Sequence, residues 1–170
     1  MGLLRHRGDD GPGTVRYQMR EKLLSIGDDS WIDDASGRHV FKVDGKAARA
    51  RSTFVLKDMG GNEVAKIKER ALHVRDTMSI DLEGRSATVK KALVGIRDRF
   101  HVELDPGDDL KVHGNVVDHE YEIEQDGTTI ATVSKKWFRV RDTYGVEVAA
   151  DADQALILAV TVAVDDLSDR

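Results

Sequence analysis

Short runs of alternating apolar and polar residues fill most of the chain, and turn residues separate the runs. Alternation on both sides of a Gly-containing turn predicts a β-hairpin. This pattern predicts turns at three places, which are Asp44-Gly45, residues 60–62 and Asp126-Gly127. Strand follows strand between Tyr17 and Val148, and no helical period interrupts them. We therefore predict an antiparallel β protein over this region.

The middle of the chain repeats itself. Residues 61–80 overlay residues 127–146 after a shift of 66 positions, and six of the twenty aligned positions are identical. The shared tetrapeptide Val-Arg-Asp-Thr lies at 74–77 and again at 140–143. A smaller unit of roughly 22 residues, about the size of a hairpin, recurs as well. This internal repeat predicts that similar hairpins recur along the chain.

The Arg-Asp-Thr segment of the repeat has two interpretations. It could be a site that supplies charge and a hydroxyl, or it could be a corner where a side chain bonds to local backbone. Strict strand alternation places Asp142 on the same face as Tyr144 and Val146, and a bare buried Asp is costly. A bulge or turn that re-aims Asp142 avoids this cost, so we predict a structural corner.

The C-terminal segment from Ala155 to Val164 is apolar apart from Thr161. An Asp cap before ten or more residues without Gly or Pro favours a helix, at about 153–166. The β-branched residues of the segment also allow a strand. A helix that is apolar on every side must be surrounded on every side. Strands surround a single helix only if they close around it, so we predict a closed β-barrel threaded by this helix.

Composition narrows the range of functions. The chain of 170 residues has 26 Lys and Arg against 31 Asp and Glu, and a net charge of −5. This acidic balance argues against nucleic-acid binding. The absence of Cys excludes disulfides and thiolate metal sites, and the longest apolar run is about half of a membrane-spanning helix. We expect a soluble cytoplasmic protein with no transmembrane segment, a flexible leader at 1–14, one domain at 15–167 and a tail at 168–170.

Motifs for catalysis or cofactor binding do not appear in the sequence. The chain has no P-loop, no dinucleotide-binding glycine motif and no nucleophile elbow. Its six His lack the i, i+4 spacing of a zinc helix. The acidic segment at 105–109 lacks the alternating ligands and closing Glu of an EF-hand. We therefore expect no metal, no cofactor and no enzymatic activity.

The repeated Arg-Asp-Thr hairpins, the block at 31–43 and the terminal apolar helix together resemble the LURP-one-related family. That family is grouped with Tubby C-terminal domains and phospholipid scramblases, and the resemblance covers roughly residues 17–167. It implies a twelve-stranded barrel of two similar halves around a central hydrophobic helix. Tubby domains bind phosphoinositides through basic residues, and scramblases are associated with membranes. The cysteine-rich palmitoylated segments of scramblases have no counterpart in this chain.

Basic residues recur along two segments that the repeat relates. Alternate residues of a strand point the same way, which predicts a ridge of cations on each strand. Trp137 lies between the cations of the second strand. Cations beside an aromatic ring suit a phosphate-bearing ligand or an anionic membrane surface, although a solvated strand face is the alternative. The candidate anion-binding residues are Lys66, Lys68, Lys135, Lys136, Arg139 and Arg141.

Two functions therefore remain open. The first is a non-enzymatic binding module that recognises an anionic ligand, such as a phospholipid headgroup, or an acidic partner. The second is a soluble protein-interaction or scaffold module with no role in lipid binding. One contiguous basic patch that includes Arg139 and Arg141 would favour the first function, whereas scattered charge would favour the second.

Overall fold

The computed structural model describes residues 13–21, 29–48, 51–70, 77–92, 99–138 and 141–169. Within these ranges the chain forms twelve β-strands, one 3₁₀ helix and one α-helix. The strands are β1 (Thr14–Arg20), β2 (Ser30–Asp34), β3 (His39–Ala48), β4 (Arg51–Asp58), β5 (Glu63–Glu69), β6 (Thr77–Leu82), β7 (Arg85–Lys91), β8 (Arg99–Asp105), β9 (Leu110–Asn115), β10 (Glu120–Gln125), β11 (Thr128–Ser134) and β12 (Thr143–Ala149). The 3₁₀ segment (Lys135–Trp137) follows β11, and α1 (Gln154–Ser168) ends the fold.

The twelve strands form one closed antiparallel barrel. Each strand pairs with the next along the chain, and β1 pairs with β12 to complete the ring. Closure leaves no strand edge unpaired. The prediction of a closed, twelve-stranded antiparallel barrel is confirmed. Most of the leader expected at 1–14 lies outside the described residues, and Thr14 is already the first residue of β1.

The α-helix fills the interior of the barrel. Asp153 caps its N-terminus, since the carboxylate accepts a hydrogen bond of 3.1 Å from the Leu156 N–H. Every side chain from Leu156 to Asp165 is buried, and inward-facing strand residues such as Ile67 surround them. The helix runs to Ser168, two residues beyond the end predicted for it. Among the described residues, no helix has the length and apolarity needed to cross a membrane.

The predicted turns at 60–62 and Asp126-Gly127 are present, but the one at Asp44-Gly45 is wrong. Strand β3 continues through both residues to Ala48. Gly45 lies opposite Phe54 on β4. Asp44 faces outward, and its carboxylate forms an ion pair of 3.3 Å with Lys57 on β4. The strand persists because its neighbour continues to supply cross-strand partners.

The predicted corner at Arg141-Asp142-Thr143 is confirmed. Asp142 has a φ of 58°, in the left-handed region, and its side chain is exposed. Its carbonyl accepts a hydrogen bond of 2.7 Å from the Glu21 N–H. Thr143 then begins β12 and is buried. The corner therefore turns the carboxylate away from the core, and the matching residues 75 and 76 lie outside the described part of the chain.

Candidate functional site

The candidate cations predicted from the sequence lie in two places. Lys66 and Lys68 lie on β5, and the 3₁₀ segment after β11 carries Lys135 and Lys136. Five strands separate β5 from β11 in each direction around the ring, so the two strands lie on opposite walls of the barrel. Arg141 lies in the turn before β12, and Arg139 lies outside the described residues. The two lysines on β5 and the two in the 3₁₀ segment therefore do not form one patch.

The prediction that one strand carries the second basic ridge is also wrong. Strand β11 ends at Ser134, whose hydroxyl accepts a hydrogen bond of 3.1 Å from the Lys136 N–H. The Glu120 carboxylate accepts hydrogen bonds from the Ser134 hydroxyl and the Lys135 N–H. These contacts turn the chain into the 3₁₀ segment, so its side chains do not alternate as they would on a strand.

Lys135 and Trp137 of the 3₁₀ segment have partners within the protein, whereas Lys136 and Arg141 are exposed and have no ion pair among the described residues. The ammonium of Lys135 lies 2.7 Å from the Glu21 carboxylate, and this hydrogen bond raises the pKa of Lys135. The Arg16 guanidinium lies 4.8 Å from the centre of the Trp137 ring and also binds Glu147. Trp137 covers Gly145 so closely that an added Cβ would lie 2.6 Å from the ring. This region is built mainly from internal contacts.

A buried polar cluster lies at the same end of the barrel. The Asp165 carboxylate on α1 lies 2.6 Å from His119 Nε2 and accepts a hydrogen bond of 3.2 Å from the Tyr144 hydroxyl. The His119 and Tyr144 rings stack, with centroids 4.3 Å apart. Burial, together with the charge of Asp165, raises the pKa of Tyr121 and of Tyr144 well above its usual value. The cluster ties the end of α1 to the barrel wall.

A different set of side chains is grouped on the outside of β2 to β5. Here Trp31 lies opposite Lys42, and Lys42 lies opposite Lys57. Lys66 and Lys68 project from the next strand, further along the barrel than Lys57, and Asp81 on β6 lies opposite Lys66. We call the outward-facing Trp31, Lys42, Lys57, Lys66 and Lys68 the lysine wall.

Trp31 is the aromatic centre of the lysine wall. Its side chain is 37% exposed, and its ring stacks on His39 with centroids 4.6 Å apart. The Lys42 ammonium lies 5.6 Å from the centre of the Trp31 ring. A groove of about 260 Å³ lies beside them and is also lined by Met59, which is 56% exposed. The groove therefore combines exposed apolar surface with two lysines and the carboxylate of Asp58.

The lysines of this wall differ in their pairing. Lys42 lies 2.7 Å from Asp29, and this hydrogen bond raises the pKa of Lys42. Lys57 pairs with Asp44. Among the described residues, Lys66 and Lys68 have no ion pair. Sequence reasoning found these last two but missed Trp31, Lys42 and Lys57, because their proximity depends on the register of three strands.

Comparison with known proteins agrees with the observed fold. Residues 15–165 match the family described as LURP-one-related. The chain is 22% identical over 152 residues to the uncharacterised protein YxjI of Bacillus subtilis (strain 168), covering 89% of this chain and 92% of the relative. It also resembles the X-ray structure of the Arabidopsis thaliana protein AT5G01750, with a TM-score of 0.60, 18% identity and 94% of each chain covered. The chain belongs to the LURP-one-related family.

Proposed function

We propose that this protein is a non-enzymatic Tubby-like binding module whose lysine wall binds an anionic phospholipid headgroup at a membrane surface. The supporting observation is the groove beside Trp31, where exposed apolar side chains lie next to lysines. Tryptophan is favoured at the boundary between water and lipid. Lysine attracts the phosphates of anionic lipids. The combination suits a protein that lies on a membrane without crossing it.

The expected binding is reversible and sensitive to salt. Each Lys next to an anionic membrane contributes about 1 kcal/mol, so Lys66 and Lys68 together supply about 2 kcal/mol. Asp29 and Asp44 offset part of the charge of the other two lysines. Screening shortens the reach of these charges to about 10 Å at 0.1 M salt. The interaction should therefore be strongest at low ionic strength.

A protein-interaction module is the second candidate. The separation of the predicted cations onto opposite walls is the charge distribution that favours it. Exposed Trp31 and Met59 also suit a protein partner, because aromatic residues and Met are enriched at protein interfaces. The two candidates share a surface and differ in whether lipid alone is sufficient for binding.

Vesicle flotation tests the proposal. The full chain is mixed with phosphatidylserine-rich vesicles or with pure phosphatidylcholine vesicles, at low and at raised salt. We expect recovery with the anionic vesicles at low salt and loss of recovery as salt rises. No recovery at low salt, or equal recovery with both vesicles, would contradict lipid binding and leave the protein-interaction function.

The two tryptophans provide a matched internal control. A Trp137→Phe variant retains Trp31 alone as the fluorescent reporter of the lysine wall. A Trp31→Phe variant retains Trp137 alone, which packs against Gly145 of β12 and Arg16 of β1 and lies outside the lysine wall. Anionic vesicles should shift the emission of the first variant to shorter wavelength and leave that of the second unchanged. The reverse result would show that the lysine wall is not the contact surface.

A further inference from the structure

Three metal-ligating side chains meet on the outside of β9 and β10. His113 on β9 lies directly opposite Glu122 on β10, and Glu124 projects two residues further along the same face. One ligand atom from each residue lies within 4.8 Å of the other two. His113 Nε2 lies 2.8 Å from a Glu124 carboxylate oxygen. His113 and Glu124 are partly buried and Glu122 is exposed, on adjacent strands of one sheet.

The donor set determines the class of metal. One imidazole nitrogen and two carboxylates suit zinc and neighbouring transition metals, whereas calcium and magnesium prefer oxygen ligands alone. Zinc binds such atoms at about 2.0–2.2 Å in a tetrahedral arrangement, so two ligands on one ion stand about 3.4 Å apart. Ligand atoms at the 4.8 Å limit would therefore have to approach each other by about 1.4 Å, through rotation of the side chains. Three protein ligands also leave a coordination position for water.

The surroundings attract a cation from one side. Glu124 lines a groove of about 490 Å³ that also contains Asp108, Asp109 and Asp126. The charge of Asp108 raises the pKa of Asp126, which shows that the carboxylates are crowded there.

Two cations oppose metal binding. Lys111 lies opposite Glu124 on β9. Arg99 lies opposite His113 on β8. Their charge limits the affinity that the cluster can reach.

We propose that His113, Glu122 and Glu124 form a site for one divalent transition-metal ion of the zinc class. The site is independent of the proposed lipid binding, since it lies on other strands of the barrel. It was missed in the sequence because its ligands follow hairpin pairing rather than the i, i+4 spacing of a helix.

A neighbouring pair provides the matched control. His101 on β8 lies 3.0 Å from the Asp109 carboxylate, and both side chains are about as exposed as His113. Among the described residues, no third ligand joins this pair. If zinc binds adventitiously to surface His residues, removal of His101 and removal of His113 should lower the zinc affinity equally. If the three residues form a site, only removal of His113 should lower it.

The test is calorimetric titration of the full chain with Zn²⁺, together with the variants His113→Gln, Glu122→Gln and His101→Gln. The wild type should bind one ion per chain. The first two variants should bind Zn²⁺ at least about tenfold more weakly, because each lacks one of the three ligands. The His101→Gln variant should bind as the wild type does, and excess Ca²⁺ should not displace the ion.

Two results would overturn the site. One is the absence of saturable one-to-one binding by the wild type. The other is an equal loss of affinity in His101→Gln and His113→Gln. Thermal unfolding without metal checks that each variant is folded, so a loss of affinity is assigned to the ligand and not to the barrel.

Discussion

The lysine wall and the 3₁₀ segment are two basic regions with a Trp each, and the two Trp side chains differ in exposure. On the lysine wall, Trp31 is exposed and Lys66 has no ion pair among the described residues. Around the 3₁₀ segment, Lys135 pairs with Glu21 and Trp137 packs on Gly145. The count of cations and aromatics is similar in both regions. A binding surface is distinguished by groups whose partners are not already supplied by the protein.

This difference separates the regions by role. The polar cluster holds the end of α1 against the barrel, and the 3₁₀ segment packs on β12, so substitutions there should change stability. The lysine wall lies on the outer surface of the barrel with its lysines half-buried, so substitutions there should change binding more than stability. Each of the following predictions concerns a substitution near the 3₁₀ segment and compares its effect on stability with its effect on vesicle binding.

The largest effect is expected from Asp165→Ala. This change removes the carboxylate that contacts both His119 and Tyr144 inside the barrel. The change leaves buried polar atoms of His119 and Tyr144 without a hydrogen-bond partner, and each such loss costs about 1–3 kcal/mol. Urea unfolding should show this loss in the free energy of unfolding, while vesicle recovery stays unchanged under conditions where the variant is folded.

The exposed Asp169 at the end of the same helix provides the control for this prediction. Its Ala variant should change the free energy of unfolding only slightly, because its side chain is exposed. A similar loss in both variants would contradict a special role for the buried cluster.

A smaller loss is expected from Gly145→Ala. The new Cβ would lie 2.6 Å from the Trp137 ring and 2.8 Å from the Phe138 ring. Overpacking of this kind costs about 1–3 kcal/mol. The matched change is Gly13→Ala, where nothing lies within 4 Å of the new Cβ. If the two variants unfold at the same urea concentration, Trp137 does not pack on β12 as described.

The smallest effect is expected from Lys135→Gln. Its pair with Glu21 is partly exposed to solvent, which screens the charges. Such pairs contribute about 0–1 kcal/mol. The midpoint of urea unfolding should therefore move little, and vesicle recovery should be unchanged. A clear loss of vesicle recovery would place Lys135 in the binding surface and remove the contrast between the regions.

The barrel and its helix could be predicted because both follow from local patterns. Alternation gave the strands, and a segment that is apolar on every side required a wall around it. The error at Asp44-Gly45 arose because the pairing with β4 outweighs the turn preference of the dipeptide.

The candidate sites were harder to predict because they depend on contacts between distant residues. The strand expected through Lys135 ends because Glu120, fifteen residues earlier, binds the backbone there. The grouping of His113 with Glu122 depends on strand register, as does that of Trp31 with Lys57. Neither register is visible as a spacing within one segment.

The most direct test compares two double variants in vesicle flotation. One variant combines Lys66→Gln with Lys68→Gln, and the other combines Lys135→Gln with Lys136→Gln. Each removes two positive charges, from opposite sides of the barrel. The first pair should weaken binding to anionic vesicles about thirtyfold, which corresponds to about 2 kcal/mol, and the second should leave it unchanged. Equal weakening by both pairs would show that overall charge, and not the lysine wall, determines binding.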